Sequence, residues 1–223
     1  MNILEAALQY QKMGFSVIPV RPDKKKPFIS WQEFQGRKAT EMEIRQWWGK
    51  WPGAMIGIVT GEISGLYAVD CDTQEGFDSI QEHLPDSLEI PTARTPRGGW
   101  HFYFQNPTNS GLTTKAGILP GVDIRGEGGY IIAAPSKNAE GKLYGWLEGL
   151  SLAEVAPPPL PDALLSALLI NNNLYRGCCG QDNCLRPHET TKTTSDHSFF
   201  TQGRRDDDLF HAANCLIKGG CEM

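Results

Sequence analysis

The order of apolar and polar positions divides the chain up to residue 165 into short helices and strands. Ile3, Leu4, Ala7 and Leu8 recur at helical spacing until Gln11 breaks the stripe, so residues 3–13 read as a helix with Asn2 as N-cap and Gly14 as stop. "FSVIPV" reads as a strand. Thr40 and Glu43 have the spacing of a capping box, and the helix they open runs to Pro52. Within it Trp47 and Trp51 share a face, a spacing used more often for packing on a core than for stacking bases. "AMIGIVTG" and "GLYAVDCD" are two strands joined by a glycine-bearing turn, and Thr73 caps a helix through Phe77, Ile80 and Leu84. "TARTPRGGWHFYFQ" reads as strand, turn, strand. "GVDIRGEGGYIIAAPS" repeats that form and stops at Pro135. This interleaving predicts an α+β (α/β) fold with a mixed or antiparallel sheet.

"APPPLP", residues 156–161, marks a boundary by its proline density, and "DALLSALL" follows as a short helix. Three regions are expected: one domain over 1–165, a linker over 166–198 rich in Asn, Thr, Ser and Cys, and the start of a helical region over 199–223. In the last, Asp206–Asp208 suit a helix N-terminus and Gly219–Gly220 its end. Its apolar positions Leu209, Phe210, Ala213, Leu216 and Ile217 want a partner that the remaining residues do not supply, so a longer natural protein is expected.

Composition adds limits. Hydrophobic residues make up 40% of the 223, enough for a real core. No apolar run reaches the length of a membrane span, and the N-terminus lacks a basic stretch followed by an apolar one, so no membrane partner and a cytoplasmic location are the expectations. The net charge of −5 does not advertise a nucleic-acid binder, but binding needs only a local patch. "RPDKKKP" is one: Lys24, Lys25 and Lys26 suit nucleic-acid phosphates, or simply keep an exposed loop soluble. Five of the six cysteines lie beyond residue 177. Cys178 or Cys179, Cys184 and His188 offer zinc ligands without a standard C-x₂-C pair, against the plainer reading of reduced thiols.

The candidate chemistry begins at "YAVDCD". Alternation puts Asp70 and Asp72 on one face of a strand, about 7 Å apart, opposite Tyr67, Val69 and Cys71. Two such carboxylates repel unless a cation lies between them or one holds its proton, and a divalent ion with oxygen ligands is the economical solution. The alternative is a strand end with both groups solvated. Two later strands repeat the arrangement. His101 and Tyr103 oppose Trp100, Phe102 and Phe104, while Asp123 and Arg125 oppose Val122 and Ile124. Aligned, these faces would gather three carboxylates, a histidine and an arginine on one side of a sheet. Such a set suits two magnesium or manganese ions and a polyphosphate.

In order, "YAVDCD", "TPRGGWHFYF" and "GVDIRGEGGYIIAAPS" resemble the archaeo-eukaryotic primase superfamily, and more narrowly the bifunctional primase–polymerase domains of plasmids, phages and mobile elements. The resemblance covers roughly residues 1–165. Asp70 and Asp72 meet its D-x-D/E motif, Gly99-Trp100-His101 its small-x-His motif, and Asp123 its third acidic motif. It implies an α/β N-terminal module packed on an RRM-like module, and template-directed synthesis from nucleoside triphosphates, often beside a helicase. Asp70, Asp72 and Asp123 would hold the metal ions. His101, Arg97 and Arg125 would contact the triphosphate, with Ser136 and Lys137 as further phosphate contacts. The glycines of "PRGG" would let backbone approach the phosphates. Two rivals remain: a D-x-D glycosyltransferase, which leaves His101 and Asp123 without a task, and a non-catalytic DNA- or nucleotide-binding module, which has no need of three carboxylates.

Overall fold

A computed structural model describes residues 2–107 and 112–179. The zinc reading on the side chains of Cys178, Cys179, Cys184 and His188, and the helix expected from Asp206, lie outside the described residues. Four helices and nine strands are present among the described residues: α1 (Ile3–Lys12), β1 (Ser16–Val20), α2 (Glu41–Lys50), β2 (Met55–Val59), β3 (Leu66–Cys71), α3 (Gln74–Gln81), β4 (Thr92–Arg94), β5 (Trp100–Gln105), β6 (Lys115–Leu119), β7 (Val122–Arg125), β8 (Tyr130–Ala133), β9 (Gly145–Trp146) and α4 (Asp162–Cys179). Local chemistry sets the helix starts. Asn2 with Glu5, and Thr40 with Glu43, form reciprocal capping boxes, and the Thr73 hydroxyl accepts the Gly76 N–H at 3.1 Å.

The strands form two antiparallel sheets, one of three strands in the order β1-β2-β8 and one of six in the order β6-β7-β3-β5-β4-β9. Within the larger sheet the four strands β7-β3-β5-β4 are joined by α3 between β3 and β4, as expected of an RRM-like module. α1 and α2 pack on the small sheet, and its residues meet Leu66, Ala68, Ala93 and Tyr103 of the large sheet in one core. Tyr67, Val69, Cys71, Phe102 and Phe104 point the other way, into a second core closed by α3 and α4. The large sheet is thus covered on one face by helices and on part of the other by the small sheet, and the uncovered remainder is where polar side chains can stand.

Two expectations change. "GVDIRGEGGYIIAAPS" is not a hairpin: β7 belongs to the large sheet and β8 to the small one, with Gly126–Gly129 as the joint between them. Thr60 holds the joint, its hydroxyl donating to the Gly126 carbonyl at 2.7 Å and its N–H to that of Gly129 at 3.0 Å. Both faces of "YIIA" are needed in the small sheet, which pulls the chain away from β7. The helix begun at Asp162 does not end near 169 but continues to Cys179, so residues 166–179 are helix and not linker. Its Leu164 and Leu168 are fully buried in the second core, which a linker could not provide. Of the tryptophans in α2, Trp48 is the most buried, its Nε1 donating to the Ala54 carbonyl at 3.1 Å. Trp47 and Trp51 pack partly buried on Phe34 and Phe28.

Candidate active site

Three neighbouring strands put three side chains in one row. On β3, Asp70 lies opposite His101 of β5 on one side and Asp123 of β7 on the other. One step along, Ala68 lies between Tyr103 and Arg125. The alternation seen in each strand therefore becomes a single polar patch. Asp72 follows just past the strand end, its N–H donating to the Gly121 carbonyl at 2.8 Å.

Within the patch, Asp70 is the central group. His101 Nε2 lies 3.2 Å from Asp70 Oδ1, and Arg125 Nη2 lies 3.6 Å from Asp70 Oδ2. The histidine contact is not aligned as a hydrogen bond. Asp70 Oδ1 and His101 Nδ1 are both buried without a hydrogen-bond partner, which in a folded protein calls for a ligand, ion or water. Asp123 is committed within the protein: Oδ2 accepts from Arg125 at 2.7 Å and Oδ1 accepts the Gly117 N–H at 2.7 Å.

The two aspartates of "YAVDCD" titrate in opposite directions. Burial acts to raise the Asp70 pKa, but His101, Arg125 and Lys25 together outweigh it and hold the group below the usual carboxylate range. Asp72 is raised, first by burial and then by the charges of Asp70 and Asp123, against the opposing pull of Lys25 and His101. Cys71 between them points into the second core, where burial foremost pushes its thiol up to about 12 and leaves it unreactive.

The patch opens into a cleft of two lobes, about 230 and about 280 Å³, that meet at Lys25, Asp70, His101, Arg125 and Tyr144. The first lobe adds Asp72, Thr95, Arg97 and Asn138. The second adds Thr114, Gly128, Gly129 and Tyr130 at the joint between the sheets. Of the residues expected at the site, Asp70, Asp72, His101, Arg97 and Arg125 line the cleft, and Asp123 stands beside it.

Ser136 and Lys137 do not reach it. Ser136 is fully buried and its Oγ accepts the Ile56 N–H at 2.8 Å, so it braces the small sheet and cannot meet a phosphate. Lys137 lines a separate hollow beside Asn2, Ile3 and Pro52. The lysine run also divides: all three side chains are exposed, but Lys25 lines both lobes, whereas Lys24 and Lys26 line neither. The glycines before His101 act through packing. A Cβ on Gly99 would collide with the Cys71 carbonyl oxygen, and Gly98 has φ +91°, so the turn needs both to lay β5 against the end of β3. Thr95, adjoining the Pro-Arg-Gly-Gly turn, had a local signal. Asn138 and Tyr144 come from a segment with none and are brought in by the chain's return from the small sheet to β9.

Among the described residues no three His, Cys, Asp or Glu side chains converge as a ready cage for a metal ion. What is present fits a hard cation all the same: Asp70 and Asp72 face a polar cleft, and Asp70 carries a buried, unpartnered oxygen. Magnesium commonly takes one or two carboxylates and completes its shell with waters and substrate phosphates.

A family model described as "Bifunctional DNA primase/polymerase, N-terminal" matches residues 7–163. A search of the curated proteins found no match.

Proposed function

The chain belongs to the bifunctional DNA primase/polymerase family, and we propose that its two-lobed cleft joins nucleoside triphosphates to the 3′-hydroxyl of a strand paired with a DNA template. The observation that carries this is the row His101–Asp70–Asp123 with Arg125 one step along, facing a cleft that Lys25 and Arg97 also line. Carboxylates that need a cation beside guanidinium groups that need an anion match the two ends of a metal–triphosphate.

Asp70 and Asp72 would hold two magnesium or manganese ions together with Asp123. Bound there, the metal would make the 3′-hydroxyl nucleophilic and offset the charge growing on the pyrophosphate. Arg125 now neutralises Asp123. A triphosphate offers it a bidentate partner, and its turn toward phosphate frees Asp123 Oδ2 to face the cation. Arg97 and His101 contact the same triphosphate. The lysine loop carries Lys24 and Lys26 on its exposed side, where they meet template or primer phosphates. The resemblance noted above extends the proposal to work beside a helicase in the replication of a mobile element.

The test is extension of a primed DNA template with magnesium or manganese, supplying ribonucleotides and deoxynucleotides separately. Metal-dependent incorporation is expected, lost by at least about 100-fold in Asp70→Asn and Asp72→Asn. Folded variants that extend at the wild-type rate, or turnover of sugar nucleotides without incorporation, would overturn the proposal.

A further inference from the structure

We propose that the stacked rings of Phe28 and Trp51, with Arg21 and Lys50 at the two ends of the stack, form a platform for unpaired bases of the template strand, from which the strand enters the cleft. This rests on the nucleotidyl-transfer reading for the identity of the strand and adds to it an interaction surface outside the cleft.

The stack is a column of alternating character. The Phe28 and Trp51 rings lie 4.6 Å apart between centroids and 11° from parallel. The Arg21 guanidinium lies over the Phe28 ring at 4.9 Å and the Lys50 ammonium over the Trp51 ring at 4.8 Å. Stacked rings share their inner faces, so each cation covers an outer one. Both cations are exposed, and both rings are only partly buried. Trp47, by contrast, meets the buried Phe34 edge-on at 5.2 Å, so of these two tryptophans one serves the core and the other reaches the surface. The column joins the cleft by two routes. Arg21 and Phe28 close the lysine loop, the Arg21 N–H donating to the Lys26 carbonyl at 2.8 Å and the Phe28 N–H to the Pro19 carbonyl at 2.9 Å. Pro22, Asp23 and Lys25 of that loop line the first lobe. Farther along the chain, Trp31 meets Tyr130 edge-on at 5.1 Å, and Tyr130 lines the second lobe. The Tyr130 hydroxyl donates to the Lys25 carbonyl at 2.7 Å, which holds loop and rings to one another. Partly exposed aromatic rings thus lead from the end of α2 to the cleft, with Lys24 and Lys26 exposed on the loop beside them.

This chemistry fits a single strand. An aromatic face stacks on any base, and template copying requires that every base be accepted, while interleaved cations follow the sugar–phosphate chain. A duplex offers no free base faces, because its bases already stack on one another. An exposed cation over a ring is held less firmly than a stacked base and is drawn to the phosphates flanking that base. An entering base therefore moves Lys50 or Arg21 from ring to phosphate. The charge balance agrees: within a chain of net charge −5, the stretch from Arg21 to Pro27 sets Arg21, Lys24, Lys25 and Lys26 against Asp23 alone.

The experiment uses the full chain. Fluorescence anisotropy follows binding of an oligo-dT of about ten nucleotides, an abasic strand of the same length and a blunt duplex, with thermal melting alongside. The wild type is expected to bind oligo-dT at least about tenfold more tightly than the abasic strand. Trp51→Leu keeps apolar bulk and loses the π-face, so it should weaken oligo-dT about tenfold and change the abasic strand and the duplex by less than about twofold. Trp51→Phe should restore the preference for oligo-dT. Lys50→Gln alters only an exposed side chain and should lower the log–log salt slope for oligo-dT by about 0.7, a readout that stands even where Trp51→Leu fails to fold. No preference for oligo-dT in the wild type, an unchanged slope in Lys50→Gln, or a folded Trp51→Leu protein that keeps the wild-type preference would each overturn the inference and leave the nucleotidyl-transfer reading standing. A wild type that binds oligo-dT as expected and incorporates no nucleotide on a primed template would overturn that reading, and with it the identity of the strand as a template.

Discussion

Asp70 and Asp72 are two residues apart and carry opposite costs. Asp70 is held below its unfolded pKa by His101, Arg125 and Lys25 despite burial, so its ionised form stabilises the fold. That contribution is present above the unfolded value near 3.8 and is lost as pH falls through the lower folded one. Asp72 is raised by burial, Asp70 and Asp123, so its ionised form is a liability that protonation relieves as pH falls through its folded pKa. Metal-free melting should therefore separate them: Asp70→Asn destabilises by about 1–3 kcal/mol, and Asp72→Asn leaves stability equal or a few tenths of a kcal/mol higher. Equal losses in both would show that the pair is not split. A residue-scale contrast comes from Ser136. Replacing it by alanine strands the buried Ile56 N–H, so Ser136→Ala should cost about 1–3 kcal/mol while nucleotide KM stays unchanged. A raised KM at constant stability would return Ser136 to the phosphates.

At the scale of elements, the site depends on strand ends meeting closely. β5 lies against the end of β3 because Gly99 has no side chain to strike the Cys71 carbonyl. Gly99→Ala should lower stability by about 1–3 kcal/mol and reduce extension further than that loss alone explains, since it displaces Asp72 relative to His101. Melting curves and rates measured below the transition check both halves. α4 provides a second prediction. Leu168 is fully buried, so a fragment ending at 165 loses a core side chain worth about 2–5 kcal/mol, whereas one ending at 179 keeps it. The longer fragment should melt cooperatively and extend primers. A 1–165 fragment of equal stability would show that the helix is dispensable.

For the molecule as a whole, a net charge of −5 restricts how DNA is held. Lys24 and Lys26, on the loop after β1 beside the cleft, are the exposed cations that the proposal assigns to the DNA backbone. Binding to a primed template should therefore weaken with salt along a shallow line, with a log–log slope of about −2 to −3, and Lys24→Ala should reduce that slope by about one. A steep slope would place the DNA on a surface other than this loop.

The helix starts, the strands through residue 133 other than β6, the polar faces of β3, β5 and β7 and the residues Asp70, Asp72, His101, Asp123 and Arg125 were legible in the sequence. Capping side chains and period-two alternation are local rules that act within a few residues. Tertiary structure decided the rest. Whether "GVDIRGEGGYIIA" closes as a hairpin or parts into two sheets depends on which strands need covering, which no local pattern encodes. The same holds for Ser136 and Lys25, neighbours of motifs in sequence: one is drawn into the core by the Ile56 amide, the other lifted into the cleft by Tyr130. The short β6 and β9 exist because the large sheet needed edges, a demand set by packing across the molecule.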